Sequence, residues 1–586
     1  MNIERVQKNR IIAFMVIVIV LFLALAGRLY YLQIIKGAEY NQKAINNRIK
    51  LVKTPAPRGP IIDRNGIALA DNVKAYVVDV IPDEMEKEPA ALELLCDILN
   101  MNAKVYYDII KETKPRPGYP VRIATNVTLD QIIKIGENRH ILKGVSVDNT
   151  YVRSYPLKNK ACHITGYTRE ISKEALEEAR EKGLKYRPGD NIGVAGLEKY
   201  YEQELRGVDG GKRLMVNAQG QVVKVLKDMP SEQGKTLKLS LDTNLQSVAM
   251  SALSGKVGAT VAIDPNNGEI LAMVSNPTFD PNMFTEGLKA SDWRKLSQNR
   301  GHPLQNRFIG SYYPPGSVFK PIIGISCLEN GVSQTSTYAY CPGYIRLGGY
   351  KKGCWAAHGG VDFYRAISMS CDTWFYKQSM KLGIERLYKT ATEFGLGQPT
   401  GIDLPEEVIR NEKAGNFPSK EWHKKVHKRE WVIGDTLNVS IGQGDVLVSP
   451  LQMAVAISAV ANGGTVYKPH LLKEIIDPKT GQVTKNEIVV NSRVEAKDEN
   501  FKIMRSAMEG CVRGGTGRPC AISGVRVGGK TGSAEATGGK AHGWFVAFAP
   551  VDNPKIVVAT IVEHGGSGSG AAAPVCRAMI KQYLGK

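Results

Sequence analysis

Apolar and polar positions along this chain follow three regimes, and they change at a few sharp places. From Ile11 to Gly27 the chain carries no charge; Arg5, Lys8 and Arg10 precede this run, and Arg28, Tyr30 and Tyr31 follow it. Such a run is at the short end for a membrane helix, but an arginine can snorkel and tyrosines suit the interface, so a transmembrane helix is predicted over 11–33. The basic residues ahead of it predict a cytoplasmic tail over 1–10 and the bulk of the chain outside. Ala24-Leu25-Ala26 also resembles a signal-peptide cleavage site, the competing reading. The apolar face continues through Leu29-Tyr30-Tyr31-Leu32, which favours an uncleaved anchor.

Residues 35–60 are polar and basic, broken by Pro55, Pro57 and Pro60. Two apolar runs flank Asn65-Gly66, a pair suited to a type I′ turn, so 61–70 reads as a hairpin, with Tyr76–Val80 continuing as strand. From 85 to 235, charge-rich helical pieces such as 172–185 alternate with short strands. None gathers acids, bases and nucleophiles, so 34–235 reads as a structural pedestal. Cys162 and His163 within it read as packed side chains rather than ligands.

The pattern changes near 235. Residues 236–241 alternate like a strand, 242–253 read as a helix, and 258–264 pairs naturally with 269–275 across Pro265-Asn266-Asn267-Gly268. Near the other end, 544–548 and 555–562 are strands and 571–584 a closing helix. Strands at both ends with helices between predict an α+β domain over 236–586, an antiparallel sheet covered by helices.

At 586 residues the chain should hold two or more domains. Its net charge, 77 − 57 = +20, favours an anionic setting such as a membrane surface or acidic wall polymer. No nucleic-acid signature accompanies that charge, so nucleic acid is not expected as a partner. Nine cysteines are too few for a disulfide framework. The basic stretch 420–430, with Trp422, His423 and His427, reads as a solvated face or as a contact for anionic polymer or lipid head groups.

Three constellations carry candidate chemistry. Ser317 and Lys320 stand three apart where Pro321 marks the first turn of a helix, so they should share a face above the positive end of its dipole. A neutral lysine there could deprotonate the serine. Ser370 and Asp372 lie two apart beside Trp374, Phe375 and Tyr376, placed either to relay protons and hold an amine or as an ordinary helix cap. Lys530-Thr531-Gly532-Ser533 follows an apparent strand, where a cation and a hydroxyl could clamp a carboxylate while the edge pairs with a peptide. Lys479-Thr480-Gly481 repeats the triplet, but after Asp477-Pro478 it reads as an exposed turn.

The order Ser317-x-x-Lys320, Ser370-x-Asp372, Lys530-Thr531-Gly532 is that of penicillin-binding proteins and serine β-lactamases. The chain resembles the class B penicillin-binding proteins, most closely their elongation-type penicillin-binding protein 2 branch. The likeness extends through Arg58-Gly59-Pro60 to Gly66, Gly196-Leu197-Glu198, Leu205-Arg206-Gly207, Asn306-Arg307, Gly434-Asp435-Thr436 and Ile441-Gly442-Gln443-Gly444. Asp372 replaces the more general asparagine, a form associated with that branch. The resemblance implies a peptidoglycan D,D-transpeptidase, blocked by β-lactams, acting on D-alanyl-D-alanine stem peptides. Ser317 would be the nucleophile, Lys320 its base, Ser370 the proton relay, and Lys530 with Thr531 the carboxylate clamp. The N–H groups of Ser317 and Ser533 would form the oxyanion hole. It also implies a SEDS-type, RodA-like glycan polymerase and the elongation machinery as partners, with no cofactor in the chemistry.

Cys341, Cys354, His358 and Cys371 fall close together in sequence, and the last lies inside the second constellation. Three thiols and an imidazole suit a closed structural zinc site, while a Cys341–Cys354 disulfide is the alternative. Cys96, Cys162, Cys327, Cys511, Cys520 and Cys576 read as core or unpaired. Two rival functions stand beside the transpeptidase: a membrane-anchored β-lactamase or β-lactam sensor, and a non-catalytic wall-synthesis scaffold.

Overall fold

The computed structural model describes residues 3–40, 49–113, 118, 120–216, 222–285, 287–288, 290–404, 412 and 414–586. Residues 41–48 of the predicted juxtamembrane segment, and residues 1–2 of the tail, lie outside these. Contacts divide the chain into two compact units, 1–57 with 207–233 and 58–206 with 234–586.

The first unit begins with a helix over Ile3–Tyr30 that widens into a π turn over Tyr31–Ile35. Within it Gln7–Ile35 is long and apolar enough to cross a membrane, and Phe14, Phe22 and Leu25 are exposed as a lipid-facing helix requires. The same unit holds an antiparallel sheet in which Gly210–Val216 pairs with both Ile49–Thr54 and Val222–Met229.

The second unit is built on two sheets. In one, Thr236–Leu239 lies between Leu472–Ile476, antiparallel, and Ile61–Ile62, parallel. Residues on both sides of position 235 therefore share a ladder. The Ile61–Ile62 strand turns back into Ala68–Val80, the hairpin the apolar pattern predicts. The turn is wider than a two-residue type I′, however: Gly66 has φ +87° while Asn65 keeps negative φ. Buried Asp63 closes it instead, accepting from the Asn65 and Ile67 amides at 2.8 Å each and from the Thr243 hydroxyl at 2.9 Å.

The other sheet carries Lys530 and Thr531. Its strands are β1 (Gly258–Ile263), β2 (Ile270–Asn276), β3 (Gly528–Ala534), β4 (His542–Ala549) and β5 (Ile556–Val562), in the order β2-β1-β5-β4-β3, all antiparallel. Five helices carry or brace the candidate functional side chains: α1 (Lys320–Glu329), α2 (Asp372–Leu382), α3 (Lys420–His427), α4 (Pro450–Asn462) and α5 (Ala573–Tyr583). β5 explains the layering. Val557, Ala559 and Ile561 pack with α4 on one face, and Ile556, Val558 and Val562 with α5 on the other. A strand buried on both faces has no use for alternation, hence the nearly unbroken apolar run. Its one hydroxyl, Thr560, is satisfied by Thr260 of β1 at 2.6 Å. β3 ends the sheet, leaving an outer edge with no strand paired to it among the described residues.

Candidate active site

Ser317 does not open the helix directly. It sits in a 3₁₀ turn over Gly316–Phe319, and α1 follows from Lys320 with Pro321 in its first turn. Gly316 makes that turn possible: its φ is +57°, its amide donates to the Gly442 carbonyl at 2.8 Å, and a Cβ there would come within 2.7 Å of the Ser533 carbonyl oxygen. Gly532 serves the same approach from β3, where a Cβ would meet the Pro315 carbonyl at 3.0 Å. The loop before Ser317 is braced by the Trp544 indole donating to the Pro314 carbonyl at 3.0 Å, and by Tyr313 and Arg307, which donate to Glu563 at 2.6 and 2.9 Å.

Behind the half-buried Ser317 lies a compact polar cluster. Lys320 Nζ donates to Asp372 Oδ1 at 2.6 Å, to the Ser370 carbonyl at 2.9 Å and to Ser370 Oγ at 3.2 Å. Lys530 Nζ, from β3, donates to the same Ser370 Oγ at 2.8 Å. One hydroxyl thus bridges two buried amines. Ser370 adopts φ +56°, an uncommon conformation for a side-chain-bearing residue that aims its hydroxyl between them. Burial lowers Lys530 to about 7, and the nearby Lys320 charge pushes the same way.

The three sequence constellations therefore meet, with one difference from the sequence expectation. Lys320 makes no hydrogen bond to Ser317 Oγ; its amine is held in an ion pair by Asp372, and Lys530 is the amine driven toward neutrality. Ser317 lies within the Gly316–Phe319 turn and Ser533 within β3. Lys479-Thr480-Gly481 lies elsewhere, in the turn between Leu472–Ile476 and Val483–Lys485. Sequence reasoning missed Thr516, whose hydroxyl bonds Thr531 Oγ1 at 2.6 Å and whose amide donates to the Ser368 carbonyl at 3.2 Å. The Gly514-Gly515-Thr516-Gly517 run was the available signal, since a Cβ on Gly515 would meet the Ser368 carbonyl at 2.3 Å.

Beside this cluster, one ligand atom each from Cys341, Cys354, His358 and Cys371 lies within 4.8 Å of the others. Pairing of Ala339–Cys341 with Gly359–Val361 brings the first and third together, and Cys371 caps α2. His358 Nδ1 stands 3.6 Å from Cys341 Sγ and 3.5 Å from Cys354 Sγ. Tetrahedral zinc with arms of about 2.3 Å needs ligands roughly 3.8 Å apart, so the donor set fits with a small contraction. All nine cysteines are free thiols, so the Cys341–Cys354 disulfide is not formed.

Comparison with known proteins settles the family. Residues 258–581 match the penicillin binding protein transpeptidase domain, and residues 53–239 the penicillin-binding protein dimerisation domain. Peptidoglycan D,D-transpeptidase MrdA of Acinetobacter baumannii is 36% identical over 98% of this chain and 87% of its own length. The chain belongs to the class B penicillin-binding proteins. Its likeness to the penicillin-binding protein 2 branch holds in three dimensions. A Helicobacter pylori PBP2 solved in complex with MreC aligns at TM-score 0.79 and 29% identity, over 92% of this chain and 99% of that one. Pseudomonas aeruginosa PBP2 in complex with WCK 5153 aligns at TM-score 0.67 and 31% identity, over 92% and 96%. Stage V sporulation protein D of Bacillus subtilis is 30% identical over 98% of this chain and 85% of its own length.

Proposed function

We propose that this chain is a peptidoglycan D,D-transpeptidase that cross-links stem peptides through a serine acyl-enzyme during cell-wall elongation. The observation that carries the reading is the Ser370 hydroxyl held at 3.2 and 2.8 Å by two buried amines behind Ser317, against the open edge of β3. A peptide ending in D-alanyl-D-alanine lies along that edge as an added strand. Its terminal carboxylate is met by Thr531 and the charged Lys530. Lys320 first gives a proton to its ion-pair partner Asp372, 2.6 Å away, and as the neutral amine takes the proton of Ser317 as Oγ attacks the penultimate carbonyl. The Ser317 and Ser533 amides take the oxyanion, each such donor contributing about 3–4 kcal/mol in comparable sites. The C–N bond to the terminal D-alanine then breaks, and Ser370 passes the proton to the leaving amine. An amine of a neighbouring stem peptide takes the acyl group and frees Ser317. β-Lactams occupy the same place and leave a long-lived acyl-enzyme.

The helix over Gln7–Ile35 anchors the chain in a single pass, amino terminus cytoplasmic, with the catalytic unit outside. Its partners belong to the elongation machinery, among them a RodA-like SEDS glycan polymerase; the MreC bound by the Helicobacter pylori relative supports that setting. A zinc ion on Cys341, Cys354, His358 and Cys371 would fasten the loop leading into α2 and so fix Ser370 and Asp372, a structural service only. Metal analysis of purified protein should return zinc that is lost in Cys354→Ser; a metal-free protein sinks that part.

Labelling with a fluorescent penicillin, in wild type and Ser317→Ala, tests the whole. Long-lived labelling lost in the variant is expected. Rapid release would instead mean a β-lactamase, and no acylation of wild type a scaffold.

A further inference from the structure

The basic stretch 420–430 contains a second cluster that no catalytic step uses. Ser419 caps α3, its Oγ accepting from the Trp422 amide at 3.1 Å, and the helix then places His423 and His427 four residues apart on one face. Their rings lie 4.5 Å apart between centroids. His427 Nε2 is 2.9 Å from Asp445 Oδ2, and His423 Nδ1 is 3.6 Å from that same oxygen. His423 is 1% exposed, yet neither of its ring nitrogens makes a hydrogen bond among the described residues. A buried imidazole with both nitrogens idle costs free energy that a ligand would recover.

We propose that His423, His427 and Asp445 form a binding site for a zinc-class divalent transition metal, separate from the cysteine cluster. One ligand atom from each lies within 4.8 Å of the others. Two imidazoles at helical i, i+4 spacing with one carboxylate are a donor set for such ions, and three protein ligands leave a coordination position open. Asp435 completes the arrangement from behind. Its Oδ2 is 3.5 Å from His423 Nε2, placed to hold the ring with Nδ1 toward the metal, as outer carboxylates do for ligating histidines. The neighbouring cations are answered locally: Lys424 pairs with Glu430 at 2.5 Å and Arg429 takes both Asp435 oxygens at 2.7 Å. A metal here would tie α3 to the segment ending at Asp445. In that segment the Gly442 carbonyl accepts from Gly316 at 2.8 Å and the Gln443 side-chain amide donates to the Ser533 carbonyl at 3.3 Å. The ion would therefore position the backing of the Ser317 turn without touching substrate. The site stands on its own geometry and does not depend on the transpeptidase reading.

The test uses untagged full-length protein in detergent, stripped of metal and titrated with Co²⁺. Cobalt on thiolates gives an intense near-ultraviolet sulfur-to-metal band; cobalt on imidazole and carboxylate gives weak visible bands alone. We expect an equivalent of cobalt without the sulfur band, its Kd raised at least tenfold in His427→Gln and unchanged in Lys425→Gln. His427 is 37% exposed, so that variant should fold, and an unaltered metal-free melting temperature checks it; His423→Gln, read in the same way, is the second variant. If every bound cobalt carries the sulfur band, or if His427→Gln takes the sulfur-free equivalent as tightly as wild type, the site is overturned.

Discussion

Two buried clusters of charge stand in the second unit, and their difference separates scaffold from chemistry. In the first, fully buried Glu198 accepts from Arg58 at 2.5 Å and from Arg153 at 2.6 Å, while Glu202 takes the other end of Arg58 at 2.6 Å. Burial pushes the Glu198 carboxyl up, but the Arg153 and Arg58 charges outweigh it and hold it below the usual carboxylate range. Two cations meet two anions. In the second, Lys320 pairs with the one carboxylate, Asp372, and shares one hydroxyl, Ser370, with Lys530. That cluster is one anion short. On the proposed mechanism the missing charge is the terminal carboxylate of the substrate, so the deficit that raises the energy of the empty site would become binding energy when the peptide arrives.

Breaking the balanced cluster should give the largest effect on folding and none on chemistry. Glu198→Ala leaves two buried guanidinium groups with Glu202 alone, and removing one partner of a buried pair costs about 3–5 kcal/mol. We expect that loss in denaturant unfolding, with the acylation rate per folded molecule unchanged. A folded Glu198→Ala protein that no longer reacts with penicillin would erase the division between the two clusters.

The unbalanced cluster should reveal itself through pH. Lys530 titrates near 7 in the folded protein against an ordinary 10.5. Below about 7 it is charged and, on the proposed mechanism, meets the substrate carboxylate; above, it is neutral. The second-order acylation rate should therefore fall toward tenfold per pH unit above about 7, and Lys530→Arg, which stays charged, should remove the break. The sign for stability is opposite. Between about 7 and 10.5 the unfolded chain binds the proton that the folded one has lost, so this group makes folding more favourable as pH rises through that window. A break that persists in Lys530→Arg would assign it to another group.

Much of this was legible in the chain because the relevant signals are local. The hairpin of β1 and β2, the apolar run of β5 and the Pro321 helix start each follow from a few neighbouring residues. Recognising Lys530-Thr531-Gly532 rather than Lys479-Thr480-Gly481 also needed only the flanking strand and turn residues. What escaped depends on contacts between distant segments. The preference of Lys320 for Asp372 over Ser317 is decided by a side chain 52 positions away. The Asn65-Gly66 turn widens because Asp63 must also serve Thr243, on a helix 180 positions on. The His423, His427 and Asp445 cluster was visible as a basic stretch, but Asp445 joins it only through folding of the segment after α3.

Thr516 is the finest probe of the contrast, because it touches the reactive cluster through a single hydroxyl. Its Oγ1 meets Thr531 Oγ1 at 2.6 Å, and its amide is tied to Ser368, two residues before Ser370. Thr531 is 8% exposed, so without that partner its hydroxyl loses both orientation and a hydrogen bond. Thr516→Val keeps the shape and removes the hydroxyl, a change worth about 1 kcal/mol, or roughly fivefold in an equilibrium constant. If Thr531 holds the carboxylate and not the reacting carbonyl, as proposed, the loss should fall on β-lactam binding before acylation, with the limiting acylation rate nearly unchanged. Thr516→Ser should restore binding. If the limiting rate falls instead, Thr516 acts through the Ser370 turn by way of Ser368, and the carboxylate clamp and proton relay are one mechanical piece rather than two.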